Sequence, residues 1–161
     1  MNGKQLIRQD SGMALSRILP PTNFFIFAIL ELIAHFAMPI SQLISGPARW
    51  SGVVLILGGG WFTWAADRLF KQVQTTVKPH KAPSVLVREG PFRVSRNPMY
   101  LGMLLALIGE AIVLGSLTPF LAPIAFFLAV DTVYVGVEEK MMLETFGEDY
   151  ASYKKKVRRW V

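Results

Sequence analysis

Four apolar blocks dominate this sequence, at residues 23–44, 50–69, 98–114 and 119–137. A helix needs about 20 largely apolar residues to cross the hydrocarbon layer of a membrane. Charged residues make up 17% of the chain, whereas an ordinary soluble domain has about 25%. The blocks therefore predict an all-α integral membrane protein with about four transmembrane helices, forming a single membrane domain over residues 1–161.

Polar connections separate these blocks. Residues 45–47 and 115–119 are short and contain Gly and Pro, which is typical of tight turns. A longer central loop, residues 71–97, divides the chain into an N-terminal helical hairpin (1–70) and a second half (71–161). The sequence contains no cysteine, which excludes a disulfide framework and cysteine-ligated metal sites.

The distribution of basic residues predicts the orientation in the membrane. The formal net charge is +6, and fifteen of the 17 Lys and Arg residues lie in the N-terminal segment, the central loop or the C-terminal tail. Basic residues concentrate on the cytoplasmic side of membrane proteins. We therefore expect both termini and the central loop to be cytoplasmic, and the charge gives no indication of nucleic-acid binding. The fifteen residues are Lys4, Arg8, Arg17, Lys71, Lys78, Lys81, Arg88, Arg93, Arg96, Lys140, Lys154, Lys155, Lys156, Arg158 and Arg159.

The tail that follows the fourth block has a helical pattern. Glu138, Glu139, Met142, Phe146 and Tyr150 recur at spacings of about three and four residues. This spacing predicts an amphipathic helix that continues from the fourth span, lies near the membrane interface and bends at Gly147.

Asp67 and Asp131 lie near the inner ends of the second and fourth spans, where Arg68 can pair with either. Three further ionisable side chains, Glu31, His35 and Glu110, lie deeper inside the predicted spans. Glu31 and His35 are four residues apart and share one face of the first helix. Counted from the cytoplasmic ends of their spans, His35 and Glu110 both lie about 18 Å deep, so they are expected to meet. Such groups either line a substrate cavity or accept a proton, or they only hold helices together by hydrogen bonds. These three residues are the candidates for catalysis.

The segment 89–102, Glu-Gly-Pro-Phe-Arg-Val-Ser-Arg-Asn-Pro-Met-Tyr-Leu-Gly, lies where the chain re-enters the membrane. Pro98 suits the first turn of the third helix, with Asn97 as its N-cap. One interpretation is therefore a helix start with basic flanks. Alternatively, Arg96 can bind a carboxylate in bidentate fashion and the ring of Tyr100 can hold a cation. The segment then predicts a binding site for a ligand that carries both a negative and a positive charge.

Two adjacent acids, Glu138 and Glu139, stand at the inner end of the fourth block. Taken alone they are typical of a solvated surface. If they point inward, they can bind an ammonium group or ribose hydroxyls. Together with the 89–102 segment they favour a zwitterionic, positively charged cofactor that bears adenosine, and S-adenosylmethionine fits this description.

These residues carry a resemblance to a known family. The run Gly90-Pro91-Phe92-x-x-x-Arg96-Asn97-Pro98-Met99-Tyr100-x-Gly102 is similar to the Arg-His-Pro-x-Tyr-x-Gly signature of isoprenylcysteine carboxyl methyltransferases. It is closer to the Arg-Asn-Pro variant of their bacterial relatives, which include phospholipid methyltransferase-like proteins. The later signature also recurs, in Glu138-Glu139, Phe146-Gly147-x-x-Tyr150-x-x-Tyr153 and Val157-Arg158-Arg159-Trp160. The resemblance covers residues 75–161.

The resemblance implies an integral membrane methyltransferase that uses S-adenosylmethionine and no metal, with residues 71–161 as its cofactor-binding core. The cofactor site would face the cytoplasm, and a lipophilic or lipid substrate would enter from the bilayer, in a bacterial inner membrane. Arg158 and Arg159 would hold an anionic substrate, or else bind anionic lipid. The residues implied to bind the cofactor are Gly90, Phe92, Arg96, Asn97, Pro98, Tyr100, Gly102, Glu138 and Glu139.

One position departs from the signature, because Asn97 replaces its histidine. An amide cannot serve as a general base, so an amine or hydroxyl acceptor would need another base. Two alternatives stay open. One is an NADPH-dependent membrane reductase, which Met103 disfavours because such enzymes carry an acid directly after the Tyr-x-Gly glycine. The other is a non-catalytic lipid-binding membrane scaffold.

Overall fold

The computed structural model describes residues 20–73 and 84–161, which are almost entirely helical. Within them, the only β-type pairing is an isolated bridge between Gln42 and Ser116. The helices are α1 (Pro20–Ala37), α2 (Trp50–Gln72), α3 (Pro98–Leu114), α4 (Leu121–Ala129) and α5 (Gly136–Lys156). Short 3-10 turns lie at Gly46–Arg49, Gly90–Arg93 and Thr118–Phe120, and a π-helical turn at Val130–Val135 joins α4 to α5.

Among the described residues, three helical segments are long and apolar enough to cross a membrane. They are Pro20–Ala37, Gly46–Gln72 and Thr118–Lys156, and the shorter apolar helix is Pro98–Leu114. The 17 residues of α3 correspond to about 25 Å of helix. The all-α membrane fold predicted from the apolar blocks is therefore confirmed.

The first helix begins and ends earlier than its apolar block. α1 runs from Pro20 to Ala37, although the block 23–44 predicts a helix that continues to Ile44. Pro39 explains the early end, because a proline disfavours helical backbone in the residue before it and has no N–H to donate. Beyond the helix, the amides of Leu43 and Ile44 donate instead to the carbonyl of Gly115, at 2.8 and 3.0 Å.

α2 and α3 approach each other closely at two pairs of glycines. Gly52 faces Gly109 and Gly59 faces Gly102, so the pairs are seven residues apart on each helix and the helices run antiparallel. A Cβ added at Gly59 would collide with the carbonyl of Gly102 and lie 2.9 Å from the nitrogen of Ala106. The close contact therefore depends on the absence of side chains at these positions.

The helix predicted in the tail is present and is bent where the sequence indicates. α5 continues from α4 through the π-helical turn, and Gly147 inside it has non-helical backbone angles, with φ 49° and ψ −123°. Glycine adopts this left-handed region without the steric cost that a Cβ would bring. The bend lies between Glu139 and Tyr150, which are both buried. Both ends of α5 therefore contribute to the interior.

Part of the charge pattern lies outside the described residues. This holds for Lys4, Arg8 and Arg17 of the N-terminal segment and for Lys78 and Lys81 of the central loop.

The glycine contacts give a stability prediction. We expect Gly59→Ala to lower the free energy of unfolding by about 1–3 kcal/mol, the usual cost of overpacking an interior. Gly60→Ala is the matched control, because a Cβ at Gly60 meets nothing within 4 Å. It should be neutral or stabilising by about 0.5–1 kcal/mol through helix propensity. Thermal unfolding in detergent, followed by circular dichroism, measures both, and equal melting temperatures would contradict the close contact.

Candidate functional site

The carboxylate of Glu139 lies at the centre of a buried group of charges. Its Oε1 is 2.7 Å from Nη1 of Arg96 and accepts a hydrogen bond of 3.1 Å from Nε of Arg159. Its Oε2 accepts from Nη2 of Arg159 at 2.8 Å and lies 3.5 Å from Nζ of Lys154. We call Glu139, Arg96, Arg159 and Lys154 the Glu139 cluster. It joins three parts of the chain, namely the segment before α3, helix α5 and the residues after α5.

Arg96 is the more deeply buried of the two arginines. Its side chain is 9% exposed, whereas that of Arg159 is 36% exposed. Nη1 of Arg96 also donates to the hydroxyl of Tyr150 at 3.4 Å. Its Nε is buried and has no hydrogen-bond partner. Because an unmade hydrogen bond on a buried charged group is costly, this N–H is suited to bind an acceptor from a ligand.

Residues 157–161, which we call the strap, follow α5 and run beside the segment that precedes α3. The amide of Arg96 donates to the carbonyl of Arg158 at 3.0 Å. The Arg159 guanidinium reaches Asp131 as well as Glu139, through Nη1 and Oδ1 at 3.1 Å. Trp160 donates from Nε1 to the same Asp131 oxygen at 3.0 Å. The hydrogen bonds to Glu139 raise the pKa of Arg159 above its ordinary value, so it stays charged.

Asn97 has a different role from the predicted N-cap. It occupies the N-cap position of α3, and Pro98 begins the helix as predicted, but no side-chain hydrogen bond caps the helix end. Instead, Nδ2 of Asn97 donates to the carbonyl of Arg159 at 3.0 Å, and the hydroxyl of the buried Ser95 donates to the same oxygen at 3.0 Å. The side-chain amide of Asn97 therefore holds the strap in place.

The other acid of the pair contacts the predicted aromatic residue. The hydroxyl of Tyr100 donates to Oε1 of Glu138 at 2.8 Å, across the space between α3 and α5. Tyr100 is buried and its ring lies near that of Tyr134, with the centroids 6.3 Å apart. The structure thus brings both acids to the Arg-Asn-Pro-x-Tyr segment, and neither acid is a fully solvated surface group.

Three predicted cofactor residues have contacts with α2 or α5. Phe92 is buried and packs edge-on against Phe70 of α2, with ring centroids 5.0 Å apart, and its carbonyl accepts from the hydroxyl of Tyr153 at 2.6 Å. Gly90 begins a 3-10 turn with φ +54°, and Gly102 packs on Gly59 of α2. These contacts give the three residues clear structural roles, and their contact with a cofactor stays a prediction.

The predicted contact between His35 and Glu110 is wrong. Nδ1 of His35 is instead hydrogen-bonded to Oγ of Ser116 at 2.7 Å. The described chain is already helical at Pro20, so the residues of α1 lie further along the bundle, relative to α3, than a helix that begins at Asn23 would place them. Glu31 is completely buried, and neither of its carboxylate oxygens has a hydrogen-bond partner.

Asp131, Ser95 and Lys154 belong to the site although no motif marks them. The sequence places Asp131 at the inner end of a span with Arg68 as a possible partner, whereas the structure pairs Asp131 with Arg159. Arg68 lies over the ring of Trp64, at 5.1 Å from its centroid. A carboxylate in the last turns of an apolar helix is the one signal that could have indicated Asp131.

Breaking the Glu139 cluster should cost much more stability than breaking a surface pair. We expect Glu139→Ala to lower the free energy of unfolding by about 3–5 kcal/mol, because the buried guanidinium of Arg96 loses its anionic partner. Glu144→Ala is the control on the same helix: its pair with Lys140 is 3.9 Å long and solvent-exposed, which is worth about 0–1 kcal/mol. Thermal melting in detergent compares the two, and similar losses would show that the cluster is no stronger than a surface pair.

Comparisons with known proteins agree with this geometry. The sequence matches the phospholipid methyltransferase family over residues 47–149, which includes Arg96, Tyr100 and both acids. A protein of Haemophilus influenzae described as uncharacterized is 38% identical over 63 residues, which are 39% of this chain and all of that relative. No solved structure matches the chain. Because the family match covers more than half of its residues, the chain belongs to the phospholipid methyltransferase family.

Proposed function

We propose that this membrane methyltransferase transfers a methyl group from S-adenosylmethionine to a lipophilic small molecule or lipid that enters from the bilayer. The observation that carries the proposal is the buried Arg96, whose Nε has no partner, beside the acids Glu138 and Glu139 in a chain of this family. All of these residues lie in 71–161, which supports this half of the chain as the cofactor-binding core.

The residues present fit such a cofactor. S-adenosylmethionine supplies a methyl group activated on a sulfonium. The unpartnered Nε of Arg96 is suited to its carboxylate, and the acids are suited to its ammonium group or ribose hydroxyls. Tyr100 orients Glu138 through a hydrogen bond of 2.8 Å. The predicted contacts of Gly90, Phe92, Asn97, Pro98 and Gly102 are part of the same proposal.

The chain's own contribution to methyl transfer is position and exclusion of water. The Arg96 and Glu139 side chains are each 9% exposed, so a ligand bound between the elements that carry them would be held largely dry. Alignment of two reactants in such a site supplies a large share of the acceleration. Asn97 gives no base, since a side-chain amide does not accept a proton at neutral pH, and its Nδ2 donates to the Arg159 carbonyl. Glu31, His35 and Glu110 are proposed to line the path of the substrate. Glu31 and Glu110 are the proposed proton acceptors for a substrate that must lose a proton, since His35 binds Ser116 beyond the far end of α3.

We also propose that the site faces the cytoplasm of a bacterial inner membrane. The described basic residues of the site, Arg96, Lys154 and Arg159, form one cluster at the same end of the bundle. Basic residues concentrate on the cytoplasmic side. The relative from Haemophilus influenzae supports a bacterial setting. Arg158 and Arg159 are proposed to receive an anionic substrate or lipid at this surface.

Cofactor binding tests the proposal directly. Titration calorimetry of the purified protein in detergent should show saturable binding of S-adenosylhomocysteine and none of NADPH. Arg96→Ala should weaken the affinity about tenfold or more, because a hydrogen bond between charged groups is lost. Arg93→Ala is the matched control, since Arg93 is an exposed arginine three residues earlier. Binding of NADPH alone would favour a reductase, and binding of neither nucleotide, by the unaltered chain or by any variant, would reject both enzymatic functions.

A second experiment tests whether His35 belongs to the path of the substrate. We expect His35→Ala to lower methyl incorporation from labelled S-adenosylmethionine into bacterial membrane lipids more than it changes cofactor affinity, because His35 binds Ser116 beyond the far end of α3, about 25 Å along that helix from the predicted cofactor residues. Its affinity for S-adenosylhomocysteine should not change. Ser116→Ala removes the same hydrogen bond but keeps the imidazole, so it should retain most of the turnover. If both variants only lower the melting temperature, the role of His35 is in packing.

A further inference from the structure

We propose that Arg159 competes with the cofactor for the carboxylate of Glu139. The strap holds the Arg159 guanidinium on this carboxylate, and the guanidinium leaves when the cofactor binds. The inference rests on the proposed function, in which Glu139 receives a positively charged or hydroxyl group of S-adenosylmethionine. The observation behind it is that both oxygens of Glu139 are already taken by Arg159. Nε and Nη2 of that one guanidinium lie 3.1 and 2.8 Å from Oε1 and Oε2.

The arrangement leaves Glu139 no free capacity for another cation. Arg96 and Lys154 also lie within ion-pair distance of the carboxylate, so three cations surround a single anion. A ligand ammonium group would add a fourth positive charge to this buried space. Such a group can approach Glu139 only if one resident cation leaves. The Arg96 side chain is 9% exposed, whereas those of Arg159 and Lys154 are 36% and 39% exposed. Of the two exposed cations, Arg159 is the one whose nitrogens occupy both oxygens of Glu139, so its departure is the one that frees the carboxylate.

Asp131 provides the place to which Arg159 can withdraw. Its Oδ1 and Oδ2 already accept from Nη1 of Arg159 at 3.1 and 3.4 Å. Asp131 is therefore a positioning residue, which acts on the site through Arg159. When Arg159 gives up Glu139, this second ion pair keeps the guanidinium from being left unpaired. The guanidinium therefore keeps an anionic partner throughout the exchange.

The strap is coupled to the residues that would hold the cofactor. Three consecutive residues donate hydrogen bonds to backbone carbonyls of the strap, namely Ser95, Arg96 and Asn97. Helix α3 begins directly after them. Trp160 attaches the other end of the strap, through Asp131 and through its ring, which lies 5.0 Å from that of Phe127. A ligand carboxylate that binds Arg96 would therefore contact the same short segment that holds the strap and, with it, Arg159.

The test compares the affinity for S-adenosylhomocysteine of the full chain with three variants, by titration calorimetry. Arg159→Ala removes the competitor, and we expect its Kd to fall about tenfold, because the binding-competent state is no longer a minor population. Trp160→Phe keeps an aromatic ring but loses the hydrogen bond from Nε1 to Asp131, so it loosens the strap without changing a contact of Glu139. It should lower the Kd less, about twofold to threefold. Lys155→Ala, an exposed cation on α5, is the control and should bind like the unaltered chain.

A structural readout accompanies the affinities. The amide of Arg96 donates to the carbonyl of Arg158, so its hydrogen exchange reports whether the strap is in place. Saturating S-adenosylhomocysteine should accelerate this exchange in the unaltered chain. Slower exchange would mean that the strap closes over the ligand, which overturns the proposal.

The remaining outcomes separate this inference from the proposed function. If the unaltered chain binds and Arg159→Ala or Trp160→Phe binds more weakly, Arg159 is a ligand for the cofactor and the competitor role is wrong. Unchanged affinity in both variants also overturns it. Binding by Arg159→Ala but not by the unaltered chain supports strong competition. Absence of binding in every protein rejects the proposed function itself.

Discussion

The organisation of this protein depends on one buried carboxylate. Glu139 lies between two guanidinium groups and an ammonium group, and its side chain is 9% exposed. Burial of these charges is tolerated only because each has a partner of opposite sign in contact. The three cations come from the segment before α3, from the end of α5 and from the strap. The ion pairs of this one carboxylate therefore determine where the segment before α3 and the strap, which are more than 50 residues apart in sequence, must meet.

The membrane limits how else these segments could be held. Most large apolar side chains of α1, α2 and α4 are exposed on the surface of the structure, where lipid can cover them, and contact between such surfaces gains little in a bilayer. The interior instead relies on the close glycine contacts between α2 and α3 and on polar contacts. These contacts include the hydrogen bond of 2.7 Å from Asn23 to Tyr134 and that from Tyr100 to Glu138. Polar contacts have a direction, so they define which helix faces meet.

The sequence alone predicted the helices and the site residues better than it predicted the hydrogen-bond and ion-pair partners of those residues. Apolar blocks and prolines indicated the helices, and the Arg-Asn-Pro-x-Tyr segment and the acid pair were correctly expected to lie together. The predicted partner of His35 was wrong because the described chain is already helical at Pro20, three residues before the predicted start, and three residues are almost one turn of helix. The bonds from Asn97 and Asp131 to Arg159 were not predictable, since they depend on the path of the strap, which has no periodic pattern.

The π-helical turn at Val130–Val135 sets the rotational phase of everything that follows it. A π turn accommodates one residue more than an α turn, and one residue corresponds to roughly 100° around a helix axis. Without this extra residue, Glu139 would point to a different side of α5 from the one that faces Arg96. The number of residues in this turn, rather than their composition, therefore decides whether the acid pair faces the site. Loss of a single residue there would leave every apolar helix intact and still separate the two halves of the cluster.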